Sequence, residues 1–560
     1  MKINSLVALV EAAALIWAAP SQCSPPNKPG HKSGPNFIFV LTDDQDLTMD
    51  STEYMPHVRD RIRQKGIDFS NHFVTTALCC PSRVSLFTGR QAHNTNVTDV
   101  DPPYGGYPKF VSQGLNDDWL PVWLQESGYN TYYVGKLFNG HSVETYNKPF
   151  VKGFNGSEFL LEPYTYSYWN SVYQRNHEPP KSYAGRYTTD VTIEKALGFL
   201  DDALEDNNNR PFFITIAPIA PHFEKQPDAA DGEPLYPPVP APRHAHLFPD
   251  AKVPRVPSFN PVNHTGPSWV KGMELQNKSQ VDYADFFYRQ RLRSLQGVDE
   301  LVDQLLNRLE NSGQLENTYV IYSSDNGFHI GQHRLPPGKT TSYEEDIRVP
   351  FFVRGPGIKP RQETQVTTHI DFAATIFELA GLPLRDDFDG TPMKFRKMSV
   401  AVPHEHVIVE YWGDAVLEGI YGINPADNTN RLANNTYKST RIVSKSHNLF
   451  YAVWCTGDHE LYDLNDDPYQ MHNIYTKASQ NLLDRLDGLL LVLKSCGGRT
   501  CIEPWKQLHP DGSVRTLSEA LNPKYDLFYD GLPKVEYDYC VKGHVVAAEG
   551  PQWEDVEVRV

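Results

Sequence analysis

This 560-residue chain is short of positive charge. Its 52 Lys and Arg stand against 69 Asp and Glu, a net charge of −17 at neutral pH. That balance argues against nucleic acid or an anionic membrane surface as a partner. Any anion the chain does bind must meet cations gathered locally. Beyond the N-terminus there is no run of about 20 apolar residues, so no transmembrane helix is expected. Internal repeats are absent. Cysteine is scarce, with seven in the chain. What is plentiful is apolar and aromatic surface, 40% and 12% of residues, which suits a packed globular protein rather than a disordered one. The length accommodates one large α/β domain with a smaller one appended.

The first residues, Met1-Lys2 and then a mostly apolar stretch to Ala19 and Pro20, resemble a secretory signal peptide. Glu11 interrupts the stretch, which is also too short and broken to span a bilayer. Residues 1–23 are assigned to this leader, with cleavage after Ala19 or a few residues later, and the Pro-, Ser- and Gly-rich 24–35 to a linker. Export fits five Asn-x-Ser/Thr triplets, at Asn96, Asn155, Asn263, Asn277 and Asn434, as candidate glycosylation sites. Delivery is to the extracellular space, or alternatively to a lysosome or vacuole. Cys455, Cys496, Cys501 and Cys540 cluster late in the chain and suit two disulfides in an oxidising compartment. Four cysteines allow three connectivities. A local loop Cys496–Cys501 around Gly497-Gly498, with Cys455–Cys540 following, is one of them. Cys80 is expected to be a buried thiol.

From residue 36 a repeated grammar appears. Asn36 to Leu41 is a short continuous apolar run, the pattern of a strand buried on both faces, and it ends in Thr42-Asp43-Asp44. Tyr129 to Val134 ends in Gly135-Lys136, Phe212 to Ile216 runs on to His222, and Tyr319 to Tyr322 ends in Ser323-Ser324-Asp325-Asn326. Helical periodicity intervenes, as over Ser294 to Leu309. Strands alternating with helices predict a large, mostly parallel sheet with helices on both faces, over residues 36–400. Ligands of such sheets gather at the carboxyl ends of the strands. The proline-rich 228–267 reads as a surface loop near the substrate entrance. After about residue 400 the runs His406 to Tyr411, Leu449 to Trp454 and Glu460 to Leu464 lack that spacing, and predict a smaller antiparallel sheet in a subdomain of residues 401–560.

Two constellations carry chemistry. Asp43, Asp44, Asp325 and Asn326 offer oxygen ligands at two predicted strand ends. Each pair alone reads as a turn or helix cap. Together they point to a hard divalent cation, calcium or magnesium, and not to zinc. The second is Cys79-Cys80-Pro81-Ser82-Arg83, continued by Leu86-Phe87-Thr88-Gly89-Arg90. Pro81 suits the first turn of a helix. Cys79 then sits at the helix start, where free N–H groups favour anions, and Arg83 returns to the same face one turn later.

The segment Cys79–Arg90 resembles the Cys-x-Pro-Ser-Arg signature of the type I sulfatases, whose first cysteine is oxidised to the aldehyde formylglycine (3-oxoalanine). The resemblance runs over about residues 36 to 470, with a second specific stretch from Asn326 through Lys339 to Arg348-Val349-Pro350. It implies an alkaline-phosphatase-like fold, a modified Cys79 made by formylglycine-generating machinery, and one calcium held by Asp43, Asp44, Cys79, Asp325 and Asn326. Arg83, Lys136, His222 and Lys339 complete the implied site, and the last three hold the sulfate. In the implied reaction the aldehyde hydrates to a diol, one hydroxyl attacks sulfur in line, and His222, with Lys339, protonates the leaving oxygen. The second hydroxyl then expels sulfate. His329 and His333 are further pocket candidates.

One departure stands out. Many sulfatases carry a histidine two residues after the lysine of the Gly-Lys pair, where this chain has Phe138. The N-acetylglucosamine-6-sulfatase branch is more similar there. His93, His141 and a metal-bound water are the candidate bases that remain. The implied activity is hydrolysis of a small-molecule or glycan sulfate ester, of the arylsulfatase type. Its alternatives are a glucosamine-6-sulfatase-like glycan sulfatase, a phosphodiesterase or phosphonate hydrolase of the same superfamily, and a non-catalytic secreted binding glycoprotein.

Overall fold

The computed structural model describes residues 34–206, 210–229, 233–395, 404–424 and 428–553. The leader, Cys23 and the boundary drawn at residue 400 fall outside them. A sheet of ten strands forms the centre. Its middle strand, Asn36–Thr42, is buried along its whole length, as its unbroken apolar run requires. Phe212–Ala217 and Thr318–Ser324 flank it, both parallel to it, and Asn130–Lys136 lies parallel beyond Phe212–Ala217. Phe351–Arg354 and the strands beyond Gly156–Leu160 pair antiparallel, so the sheet is mixed.

Register does the work of assembly. Thr42 pairs with Ser324, Val40 with Ile216, and Gly135 with Ala217. The carboxyl ends of four strands therefore share one edge. Alternate residues of the central strand feed two cores. Phe37, Phe39 and Leu41 pack with residues of the helices Cys79–Thr88 and Asp371–Ala380. Ile38 and Val40 pack with residues of Thr188–Leu204 and Lys278–Asn311. At 25 cal/mol per Å², each large apolar side chain so buried contributes about 2 kcal/mol.

The helix Lys278–Asn311 is longer than the 294–309 periodicity predicts. Asn277 opens it with a capping box: its Oδ1 accepts from the N–H groups of Ser279 and Gln280, while the Gln280 side chain accepts from the Asn277 N–H. The early turns pack Ala284, Phe287 and Tyr288 into a separate small cluster with Phe328 and Ile330.

His406–Tyr411, Tyr437–Val443, Asn448–Trp454 and His459–Asp463 form the expected antiparallel sheet. One face packs on the helix Gln480–Leu493. Disulfides join Cys455 to Cys540 and Cys496 to Cys501, while Cys79 and Cys80 are buried free thiols. Gly34–Val560 groups as one compact unit. A short sheet ties its parts together at the site: Lys339 pairs with Val416 in the antiparallel ladder Gly338–Lys339 with Ala415–Leu417. Asn155, Asn263, Asn277 and Asn434 are exposed, and Asn96 is half-buried. Among the described residues no helix is long and apolar enough to cross a membrane.

Candidate active site

The helix Cys79–Thr88 begins after Leu78, whose backbone is extended and whose side chain offers no cap. The N–H groups of Cys79 and Cys80, at its start, have no carbonyl partner within the helix. Gly89 closes the helix in the left-handed region, φ 69°. Cys79 Sγ lies 3.5 Å from Asp43 Oδ1 and 3.8 Å from Asp44 Oδ1. Lys339 Nζ stands 3.2 Å from that sulfur and 2.6 Å from both carboxylate oxygens of Asp44. Lys136 Nζ donates to Asp43 Oδ2 at 2.6 Å. His222 Nε2 is 3.5 Å from Asp44 Oδ2.

Arg83 is fully buried. Its Nε donates to Asp325 Oδ2 at 2.8 Å and Nη1 to the Lys136 carbonyl at 2.7 Å. Its Nη2, 3.7 Å from Asp43 Oδ1, makes no hydrogen bond. Asp325 Oδ1 accepts from the N–H groups of Asp44 and Asn326. Asp44 has φ 67°, a left-handed conformation uncommon for a residue with a Cβ, and that N–H bond helps to hold it. Asn326 Nδ2 donates to Asp44 Oδ1 at 2.8 Å. All nine predicted catalytic and metal residues thus converge on one strand-end cluster.

Burial sets the electrostatics. It pushes the Asp43 carboxyl up to about 7, against the pull of Lys136. Burial would also raise Asp325, but Arg83, Lys136 and Lys339 hold it well below the usual carboxylate range. It pushes the Cys79 thiol well up. Both lysines stay charged, because Asp43 beside Lys136 and Asp44 beside Lys339 outweigh the loss of water. His222 is driven well below its ordinary value by burial and by the two lysines, and is neutral.

The donor set fits a metal ion. Ligand atoms of Asp43, Asp44, Cys79 and His222 lie within 4.8 Å of one another. Asn326 Oδ1 is buried with no hydrogen-bond donor, an acceptor in want of a partner. Carboxylate and amide oxygens of this kind suit a hard divalent cation.

The cluster opens into a cavity of about 670 Å³ with Cys79, His222 and Lys339 in its wall. Only the first part of the proline-rich loop lines it, through residues such as Glu233 and Leu235. The four further histidine candidates are not in that wall. His93 is held by Glu410 and by the Cys496 carbonyl. His141 packs between the rings of Tyr107 and Phe159 with neither nitrogen bonded. His329 binds Asp346, and His333 stacks on Tyr343. Phe138 is turned into the core against Phe110 and Trp119.

Sequence reasoning passed over three groups at the site. Tyr166 stacks on His222, with ring centroids 4.2 Å apart, and lines the cavity with Asn139. Arg291 lies over the Phe328 ring and donates to the Asp44 carbonyl. Glu418 is fully buried with both carboxylate oxygens unbonded, and burial pushes it up to about 8. Only the position of Asn139, three residues after Lys136, was a signal in the sequence.

Comparison with known proteins gives the family of the chain. The family model described as Sulfatase matches residues 35–382, and that described as N-sulphoglucosamine sulphohydrolase, C-terminal, matches residues 331–494. An arylsulfatase from Volvox carteri is 41% identical over 539 residues, covering 90% of this chain and 82% of the relative. An N-acetylglucosamine-6-sulfatase from Homo sapiens is 32% identical, covering 84% and 86%. The solved structure of BT4656 in complex with its substrate D-glucosamine-2-N,6-O-disulfate superposes with a TM-score of 0.64 at 22% identity, over 82% of this chain and 97% of that one. The chain belongs to the sulfatase family and is a sulfuric ester hydrolase.

Proposed function

We propose that the protein is an exported arylsulfatase whose Cys79 matures to formylglycine and whose strand-end cluster holds calcium. The observation that carries this reading is the meeting of Cys79 with Asp43-Asp44 and Asp325-Asn326, two lysines, Arg83 and His222 in one buried cluster at the foot of a cavity. The hydrated aldehyde would supply one hydroxyl as the nucleophile and a second that, on losing its proton to a base, re-forms the carbonyl and expels sulfate without a second attack by water. Asp43, Asp44, Asp325 and Asn326, with residue 79, would hold the calcium, which supplies Lewis acidity toward a sulfuryl oxygen.

The remaining work belongs to side chains. Lys136 and Lys339 bring the fixed positive charge that an acidic protein must concentrate to bind a sulfate ester. Arg83 ties Asp325 to the Lys136 strand end and so helps to position Asp325 beside Asp43 and Lys136. His222 stands at the cavity wall, where the N–H of its neutral ring can donate a hydrogen bond to the leaving oxygen. An aryl leaving group, with a phenol pKa of about 10, makes a small demand on that donor. The two disulfides and the exposed triplets at Asn155, Asn263, Asn277 and Asn434 support export as a glycoprotein.

A sugar sulfate is the second reading, favoured by polar cavity groups such as Asn139, Glu144, Gln226 and Asn430, which suit a polyol. Turnover of an aryl sulfate, an aryl phosphodiester and a 6-sulfated glucosamine by the purified enzyme decides among the readings. The aryl sulfate is expected to be cleaved fastest. Faster phosphodiester cleavage overturns the sulfatase preference, and faster sugar desulfation overturns the aryl preference.

A further inference from the structure

Phe138 is 2% exposed and belongs to the core, so the chain offers no acid–base group at that position. The next residue turns back to the cavity. Asn139 Nδ2 donates to the Tyr166 hydroxyl at 2.7 Å. That bond uses the hydroxyl oxygen as acceptor and leaves its own proton to give elsewhere. Among the described residues no acceptor takes it. The Tyr166 ring is held by its neighbours. It lies nearly parallel to the His222 imidazole, 14° between planes and 4.2 Å between centroids, and Lys136 Nζ is 4.9 Å from its centre. Tyr166, His222, Lys339 and Cys79 share one cavity wall.

We infer that Tyr166 is a further catalytic residue, whose O–H donates a hydrogen bond to the oxygen that leaves sulfur. The inference rests on the sulfatase reading of this cavity. The lysines are paired with the two Asp residues beside Cys79, where the sulfuryl group must lie. Tyr166 stacks on His222, the residue that faces the leaving oxygen in this reading and lies on the same cavity wall, and borders Lys136. When the S–O bond breaks, its electron pair stays on the departing oxygen, and a preplaced neutral donor binds that oxygen more tightly than the intact ester. The tyrosine keeps its proton, so the step needs no proton transfer from it. Asn139 acts through Tyr166 as a positioning residue.

The test uses the full-length enzyme and aryl sulfates of graded leaving-group pKa, from nitrophenyl to unsubstituted phenyl sulfate. Tyr166→Phe keeps the stack on His222 and removes only the donor. Its kcat/KM is expected to fall slightly for nitrophenyl sulfate and about a hundredfold for phenyl sulfate, which steepens the dependence on leaving-group pKa. Asn139→Ala is expected to steepen it in the same sense by less. A folded Tyr166→Phe enzyme whose dependence runs parallel to wild type overturns the inference, whether or not its rates drop uniformly. If Tyr166→Phe does not fold, as judged by thermal unfolding, Asn139→Ala is held to the same criterion. A wild-type enzyme that cleaves no sulfate ester would sink the sulfatase reading itself, an outcome separate from parallel slopes in an active enzyme.

Discussion

Lys339 and Cys79 meet at 3.2 Å, Nζ to Sγ, both buried, and the same ammonium sits 2.6 Å from each oxygen of Asp44. One cation thus serves the reactive position and a carboxylate that water does not reach. Lys339→Met keeps the stem and removes the charge. Its kcat on an aryl sulfate is expected to fall at least about a hundredfold. Removing one partner of a buried pair costs about 3–5 kcal/mol, so the variant's thermal midpoint should also drop. A kcat within a few-fold of wild type contradicts the role.

Calcium should matter to both readouts. A cation bound only by the folded state stabilises it by mass action, about 2.7 kcal/mol at a hundredfold excess over Kd. Wild type in a calcium chelator is expected to lose activity and thermal midpoint together, and added calcium should restore both. In Lys339→Met, where Asp44 has lost its ammonium partner, the chelator should lower the midpoint further than in wild type. Activity and midpoint both indifferent to the chelator would remove the cation from the account.

Glu345 offers a pH test away from the reacting atoms. It is 6% exposed, and its side chain accepts from the Ser258 hydroxyl. Burial, with neighbouring Asp346, pushes its carboxyl from 4.5 up to about 7. Between those values the folded protein holds a proton that the unfolded chain releases, so this group's contribution falls as pH rises from about 4.5 to about 7. The shift corresponds to a loss on the order of 3 kcal/mol. Glu345→Gln should flatten the decline of thermal midpoint between pH 4.5 and 7.5, and an unchanged slope contradicts the assignment.

The two disulfides should differ in worth. Cys455–Cys540 closes 85 residues and Cys496–Cys501 only 5. Loop-closure entropy gives about 4–5 kcal/mol for the first and about 2 kcal/mol for the second. Replacing Cys455 and Cys540 by Ser should therefore lower the denaturation midpoint more than replacing Cys496 and Cys501. The opposite ranking would mean that the Cys540 end holds without its bridge.

Much of this was legible in the sequence because the central strands are buried on both faces. Asn36–Thr42 and Thr318–Ser324 write that burial as unbroken apolar runs, and the polar residues after them mark the edge where a site forms. Cys79 and Arg83 were legible because helix geometry fixes their relation. Tyr166 was not, since it reaches His222 from a loop whose path depends on tertiary packing. Arg291 and Glu418 were hidden for the same reason: an arginine on a long helix and a glutamate after a short strand give no sign in the sequence that they will be buried beside the site. The histidines failed in the other direction. His93 and His141 carry the right chemistry but are placed by Glu410 and by aromatic packing, outside the cavity wall.

The central claim is that residue 79 works as an aldehyde and not as a thiol. Mass spectrometry of the tryptic peptide ending at Arg83, from protein made in its natural host and treated with an aldehyde-specific hydrazide, tests it directly. The account predicts a hydrazone at position 79 and none in Cys79→Ala, which should fold but turn over no sulfate ester. An intact thiol at Cys79 in fully active enzyme would contradict it.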